Sequence, residues 1–256
     1  MIRLKFLEKM VANYDFLNRP LSIGFEYGTH PVLKKKEGSA DFDIVPMEWG
    51  FLPGYVKTRE AAEKFRKGYM DESGKFRPPI ITLNAVGEEI LFPNKIYRDA
   101  ALHRRCLVLS TGFFEWRHIF PIGKKGLPLK TAVKYPYHVT VKDAPYFFIA
   151  GIWQPWTDRQ TGEHVDTFSI VTTRANALME QVHNSKKRMP VILTEDLAWE
   201  WLMENPDEKR ITEIAGFQYP AQQMQAISIA KDFINADEPA EAHAYAELPE
   251  LETSNK

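Results

Sequence analysis

Three short segments place polar side chains inside otherwise apolar runs: Thr82-Leu-Asn-Ala-Val-Gly-Glu88, Arg104-Arg-Cys-Leu-Val-Leu-Ser-Thr-Gly-Phe-Phe-Glu-Trp116 and Val182-His-Asn-Ser-Lys-Lys-Arg-Met-Pro-Val-Ile-Leu193. Within them Asn84, Glu115 and His183 stand where burial is costly unless the group is hydrogen-bonded. Brought together, they would supply an amide to orient a substrate, a carboxylate acid/base and an imidazole proton shuttle. Spacing alone favours plainer roles. An Asn at a strand end is usually a turn former, and a lone His is usually a satisfied or surface group.

Cys106 invites a Cys–His hydrolase reading with His183. Its setting, Cys-Leu-Val-Leu, is that of a strand core, where a free cysteine behaves as a small hydrophobe. Arg105 should point to the opposite face of that strand, away from the thiol. As the single cysteine, it also excludes an internal disulfide framework and a cysteine-rich zinc site within one chain. No metal and no cofactor is expected. Trp49, in Glu-Trp-Gly-Phe-Leu-Pro, reads either as a core-closing aromatic or as a surface on which a base could stack. The cluster Lys186, Lys187 and Arg188 is a solvated turn or a phosphate clamp. Val171-Thr-Thr-Arg-Ala-Asn176 ends a strand and opens a helix, a place where backbone N–H groups suit an anion.

The elements that must position these residues are mostly strands. Aromatic and β-branched runs mark candidates at 43–49, 80–84, 106–110, 113–117, 137–141, 147–153 and 167–172. Polar stretches at 118–131 and 157–164 read as hairpin or loop excursions. Helices are expected at 58–65, 96–102, 176–181 and 195–204. Another is expected at the start, where Leu4, Leu7, Val11 and Tyr14 recur at helical spacing without a capping residue ahead of them. The resulting expectation is an α+β fold: a single domain, 1–235, with a curved, barrel-like antiparallel β-sheet core and flanking helices. Residues 236–256 form an acidic tail without apolar periodicity, expected to be disordered. The chain's net charge of -1 hides this asymmetry, since without the tail the body carries +4. That charge permits contact with phosphates without demanding it. No apolar run is long enough for a membrane span and no secretory segment opens the chain, so a cytoplasmic protein is expected.

Taken in order, the segments resemble the SOS response-associated peptidase family, the abasic-site-processing proteins, from about residue 24 to 202. Met47-Glu-Trp-Gly-Phe-Leu-Pro53 is similar to the family's Trp-Gly-Leu-x-Pro. Asn84-Ala85 with Glu88 resembles Asn-Ala-Arg-x-Glu. Tyr97-Arg98, Arg104-Arg-Cys-Leu107 and Gly112-Phe-Phe-Glu-Trp116 resemble its Arg-Arg-Cys-Leu…Gly-Phe-Tyr-Glu-Trp core. Ala150-Gly-Ile-Trp153, Thr172-Thr-x-Ala-Asn176 and His183…Arg188-Met-Pro-Val191 complete the series. Six matches in order make the resemblance specific.

The resemblance implies recognition of abasic sites in single-stranded DNA by a monomer. The family's cysteine after the initiator methionine becomes the N-terminus, condenses with the ring-opened aldehyde as a Schiff base, and closes a thiazolidine cross-link. Removal of the leading methionine is the implied peptidase activity. By position, Asn84 would orient the N-terminal residue, Glu115 would be the acid/base, and His183 would move protons on the opened sugar. Trp49, Arg98, Thr173 and Arg188 would lie along the DNA strand. Three departures stand out. Residue 2 is Ile, Val86 replaces the arginine after Asn-Ala, and three extra residues separate His183 from Arg188. Either a stretch with the cysteine precedes this start, which the uncapped opening helix favours, or the protein binds without cross-linking. The sequence as it stands is expected to be inert in cross-linking. Rival readings are a non-catalytic single-strand-binding module and a protein-interaction domain that uses the acidic tail.

Overall fold

Residues 19–252 are described by a computed structural model; the expected opening helix lies outside them. In chain order the strands are β1 (Thr29–Lys35), β2 (Phe42–Trp49), β3 (Tyr69–Met70), β4 (Phe76–Arg77), β5 (Asn84–Val86), β6 (Arg105–Ser110), β7 (Phe113–Ile119), β8 (Val133–Val141), β9 (Phe147–Thr157), β10 (His164–Arg174), β11 (Arg188–Pro190), β12 (Ile192–Leu193) and β13 (Met224–Ser228). The α-helices are α1 (Arg59–Lys67), α2 (Arg98–His103), α3 (Met179–Val182), α4 (Glu195–Met203) and α5 (Glu208–Ala215).

Five strands close into a barrel in the order β10-β2-β1-β6-β9, with β9 pairing back onto β10. The ring is antiparallel except where β10 runs parallel to β2, and β10 also takes β5 as a parallel neighbour. A three-stranded sheet, β13-β8-β7, packs beside the barrel. The α+β, barrel-like architecture read from the sequence is therefore the observed one, with parallel pairings added at β10.

Period-two alternation sends each barrel strand's side chains into two cores. Val32, Cys106, Ile149 and Ile170 join Tyr137 and Val139 of β8 in the core between the barrel and the small sheet. Their chain neighbours Leu33, Leu107, Ala150 and Val171 face Trp201, Ile211 and Ile214 beneath α4 and α5. Burial on both faces is why these strands read as continuous apolar runs. Trp201 ties the layers together, its Nε1 donating to the carbonyls of Cys106 and Gly151 at 3.1 and 3.0 Å. Arg105 points into the helical layer, away from Cys106, and donates to the carbonyls of Ala101, Leu102, Trp201 and Glu204 at the ends of α2 and α4.

Several expectations change. β1 carries Pro31 and a lysine-rich end, which hide a strand whose Pro31 faces Pro46 across the β1–β2 pair. The run 80–84 pairs only from Asn84 onward, because Ile80 and Ile81 follow two prolines and stay exposed. The helix at 176–181 shrinks to the single turn α3, with the Asn176 side chain accepting from the Met179 N–H at 3.0 Å. Helix α5 was not foreseen.

The tail also departs from the disorder expected of it. Among residues 237–252, Tyr245, Leu248 and Leu251 pack against the β8 core. Tyr245 donates to the Ile229 carbonyl at 2.8 Å and Tyr135 donates to Glu247 at 2.9 Å. Three apolar anchors suffice to hold a segment whose overall composition is acidic.

Candidate functional site

Glu115 lies on β7 opposite Tyr137 of β8, on the face turned toward the core. His183 follows α3, and the backbone folds back so that the Lys187 N–H bonds the His183 carbonyl at 2.8 Å. This places His183 Nδ1 3.5 Å from Glu115 Oε1. The same nitrogen lies 2.9 Å from the Arg188 carbonyl. A carbonyl only accepts, so Nδ1 carries the proton, and Nε2 is left as the basic nitrogen. Burial pushes the Glu115 carboxyl above its ordinary range, while the nearby His183, the Trp116 N–H and Lys186 act in the opposite sense. A carboxyl inclined to keep its proton, beside an imidazole, forms an acid/base pair.

The Asn184 side chain accepts from the His118 N–H at 2.9 Å and donates to the His118 carbonyl at 2.8 Å, clamping the His183 loop onto β7. At the start of β7, Gly112 lies against the His138 ring; a Cβ there would sit 2.0 Å from His138 Nε2.

Asn84 is exposed at the start of β5 and makes no hydrogen bond to Glu115 or His183 among the described residues. Val86 and Pro190 flank Thr172 on opposite sides of β10, two strand spacings or about 10 Å apart. Asn84 thus belongs to the far side of β10 from the loop that holds His183. Its carbonyl accepts from the Tyr97 hydroxyl at 3.4 Å, and burial pushes that phenol up to about 12.

The four residues expected along DNA are differently placed. Trp49 lies at a corner where Gly50 takes a φ of +127°, with Tyr27 close against the glycine. Its ring stacks on Phe168 at 5.9 Å, and Gly24 lies over the ring atoms near Cδ2 and Cε2. Its indole N–H donates to the Leu83 carbonyl at 2.9 Å. With Phe168 on one side and Gly24 against it, Trp49 offers less stacking surface than its sequence context suggests. Arg98 bonds Glu208 of α5 at 2.7 Å and also the Leu91 carbonyl. Arg188 bonds Glu88 at 2.9 Å and Thr172. Thr173 requires a correction: it is 1% exposed and donates to Glu88 and to the Gly216 carbonyl. It lies on the same face of β10 as Val171, which the helical layer covers.

Glu88 is the hub that sequence reasoning left without a role. Burial alone would raise its carboxyl, but its own N–H, Arg188 and the Arg174 N–H together hold it below the ordinary value. Asn184 was missed as well, because its partner is a backbone far away in sequence. Cys106 is fully buried against Gly151, and burial pushes its thiol far up, so it is no nucleophile. No group of three or more His, Cys, Asp or Glu side chains suited to a metal occurs among the described residues.

Residues 25–236 match the family model described as SOS response associated peptidase (SRAP). Abasic site processing protein YoqW of Bacillus subtilis is 26% identical over 187 residues, spanning 72% of this chain and 68% of that protein. Abasic site processing protein YedK of Escherichia coli is 24% identical, over 72% of this chain and 66% of that protein. A crystal structure of a protein from Bacteroides thetaiotaomicron superimposes with a TM-score of 0.75 at 29% identity, covering 95% of this chain and 96% of the other.

Proposed function

This chain belongs to the SOS response associated peptidase family, and on that premise we propose that it processes abasic sites in single-stranded DNA with Glu115 and His183 as its proton-transfer pair. The observation that carries the reading is the 3.5 Å approach of the half-buried Glu115 carboxyl group to His183 Nδ1. An abasic sugar opens to an aldehyde, and an amine adds to it and expels water as a Schiff base. Protonated Glu115 is suited to give the proton that the departing hydroxyl needs. His183, its Nδ1–H held by the Arg188 carbonyl, presents Nε2 to take a proton from the opened sugar. Asn84 is assigned to orienting the amine-bearing residue.

The thiol of a thiazolidine cannot come from Cys106, which is sealed in the core, nor from Ile2. A stable cross-link, and methionine removal with it, is therefore assigned only to a form that carries cysteine at its N-terminus. Arg98 and Arg188 already hold Glu208 and Glu88. They serve DNA by exchanging a carboxylate for a phosphate, and the exposed Arg174 and Lys186 are the readier phosphate partners. The protein acts as a cytoplasmic monomer that needs neither metal nor cofactor. Fluorescence anisotropy with uracil-excised single strands, intact single strands and duplex tests this. Preference for the abasic single strand is expected; equal affinities, or none at low salt, would overturn the proposal.

A further inference from the structure

Strands β7 and β8 continue beyond their paired residues as a narrow hairpin. Leu129 N donates to the Pro121 carbonyl at 2.8 Å, Gly123 N to Leu127 at 2.8 Å and Gly126 N to Gly123 at 2.9 Å, while Ile122 pairs with Pro128. This ordered tip exposes Phe120 and Leu129 by about half and Ile122 and Leu127 by about two-thirds. Lys124, Lys125 and Lys130 are exposed among them, Lys134 is exposed at the root, and no acidic residue occurs between Glu115 and Asp143. Four large apolar side chains on one excursion form a patch that isolated surface residues do not. Interleaved lysines restrict the partner to a polyanion that also has apolar faces, a description that nucleic-acid strands with unstacked bases fit.

The hairpin is also continuous with the site. It grows from the strand that carries Glu115, and Asn184 docks on His118 at its base. Ile122 is seven residues beyond Glu115, about 23 Å of extended chain. A single strand with unstacked bases, longer per nucleotide than the roughly 3.4 Å of a stacked duplex strand, spans that length in no more than about seven nucleotides.

We propose that this hairpin is a second DNA-contact element, its lysines on phosphates and Phe120, Ile122, Leu127 and Leu129 against unstacked bases flanking the lesion. The inference rests on the DNA reading given above. Two exposed-residue variants test it: Ile122→Ser/Leu127→Ser/Leu129→Ser, and Lys124→Ala/Lys125→Ala/Lys130→Ala, each checked for folding by circular dichroism.

Abasic single strands of about 25 nucleotides reach the hairpin from a central lesion, and strands of about five do not. On the long strand the apolar variant is expected to bind at least about fivefold more weakly, a loss of about 1 kcal/mol, less than full burial of one such side chain contributes. The lysine variant is expected to flatten the logarithmic salt dependence by about 2, at roughly 0.7 per phosphate contact. Both should match wild type on the short strand. Wild-type binding to the long strand with both variants unchanged would overturn the hairpin's role and leave the functional proposal standing. Failure of wild type to bind any single strand would overturn both. Loss of binding to phosphatidylserine vesicles, with DNA affinity intact, would assign the hairpin to a membrane surface instead.

Discussion

The Nδ1 atom of His183 stands 3.5 Å from Glu115 Oε1 and 2.9 Å from the carbonyl of Arg188. One edge of the imidazole is therefore held by a carboxylate from β7 and by the chain's own backbone, while the other edge remains for chemistry. A purely structural carboxylate would be expected to favour its charged form through its partners. Glu115 is shifted the other way, by burial.

That direction makes a prediction with opposite signs for stability and activity. A carboxyl raised in the folded state contributes stability below its unfolded value near 4.5, and this is lost as pH rises through the folded value. Glu115→Gln should thus melt no lower than wild type at pH 8, gaining about 2–4 °C per kcal/mol recovered. The gain should vanish by pH 4. Processing of abasic strands should fall by about 10²–10⁴-fold. A lower melting temperature at pH 8 would identify a structural carboxylate.

Asn184 positions His183 through both polar atoms of one backbone residue, His118. Asn184→Ala removes two hydrogen bonds, each worth about 0.5–1.5 kcal/mol net, and should lower the melting temperature by about 2–12 °C. Asn184→Asp keeps the acceptor for the His118 N–H and loses the donor to its carbonyl. It should recover part of the stability and part of the rate. Rates for the two variants that equal wild type would remove Asn184 from the positioning role.

The sequence made some of this legible and concealed the rest for physical reasons. Alternation and β-branching located six of the seven expected strand runs, because those signals are local. Glu115 and His183 stood out as polar groups in apolar surroundings, and the fold does bring them together. Asn84 lies across β10 because a parallel pairing set its neighbours, which spacing cannot reveal. Trp49 was ambiguous until Gly24 and Phe168 were seen packed on its ring. Thr173 was misplaced because both faces of β10 are covered, which alternation along the strand does not disclose.

His30 gives a second pH signature. Its ring meets Trp49 and Phe168 edge-on at 5.3 and 6.1 Å, and burial, followed by the charge of Arg19, lowers it to about 4. The unfolded chain takes up this proton from about 6.5 downward, whereas the folded chain does so only near 4. Stability should therefore fall as pH drops through that window and level off below it. His30→Gln should flatten the melting temperature between pH 6.5 and 4 relative to wild type. An unchanged slope would show that His30 does not govern acid sensitivity in that range.

The C-terminal segment provides the last test, because disorder and docking predict opposite results. Were residues 237–252 unattached, their removal would leave the melting temperature unchanged. The structure instead packs Tyr245, Leu248 and Leu251 on the β8 core and joins Tyr135 to Glu247 and Gln181 to Glu252. Full burial of such side chains stabilises by about 1.5–3 kcal/mol each, and these three are only partly covered. Deleting 237–256 should therefore cost about 2–4 kcal/mol in all, a fall of roughly 4–16 °C at about 2–4 °C per kcal/mol. Leu248→Ser/Leu251→Ser should reproduce part of that fall while keeping every acidic residue. If deletion destabilises and the double variant does not, Tyr245 and the hydrogen bonds of the segment, rather than the two leucines, hold it in place.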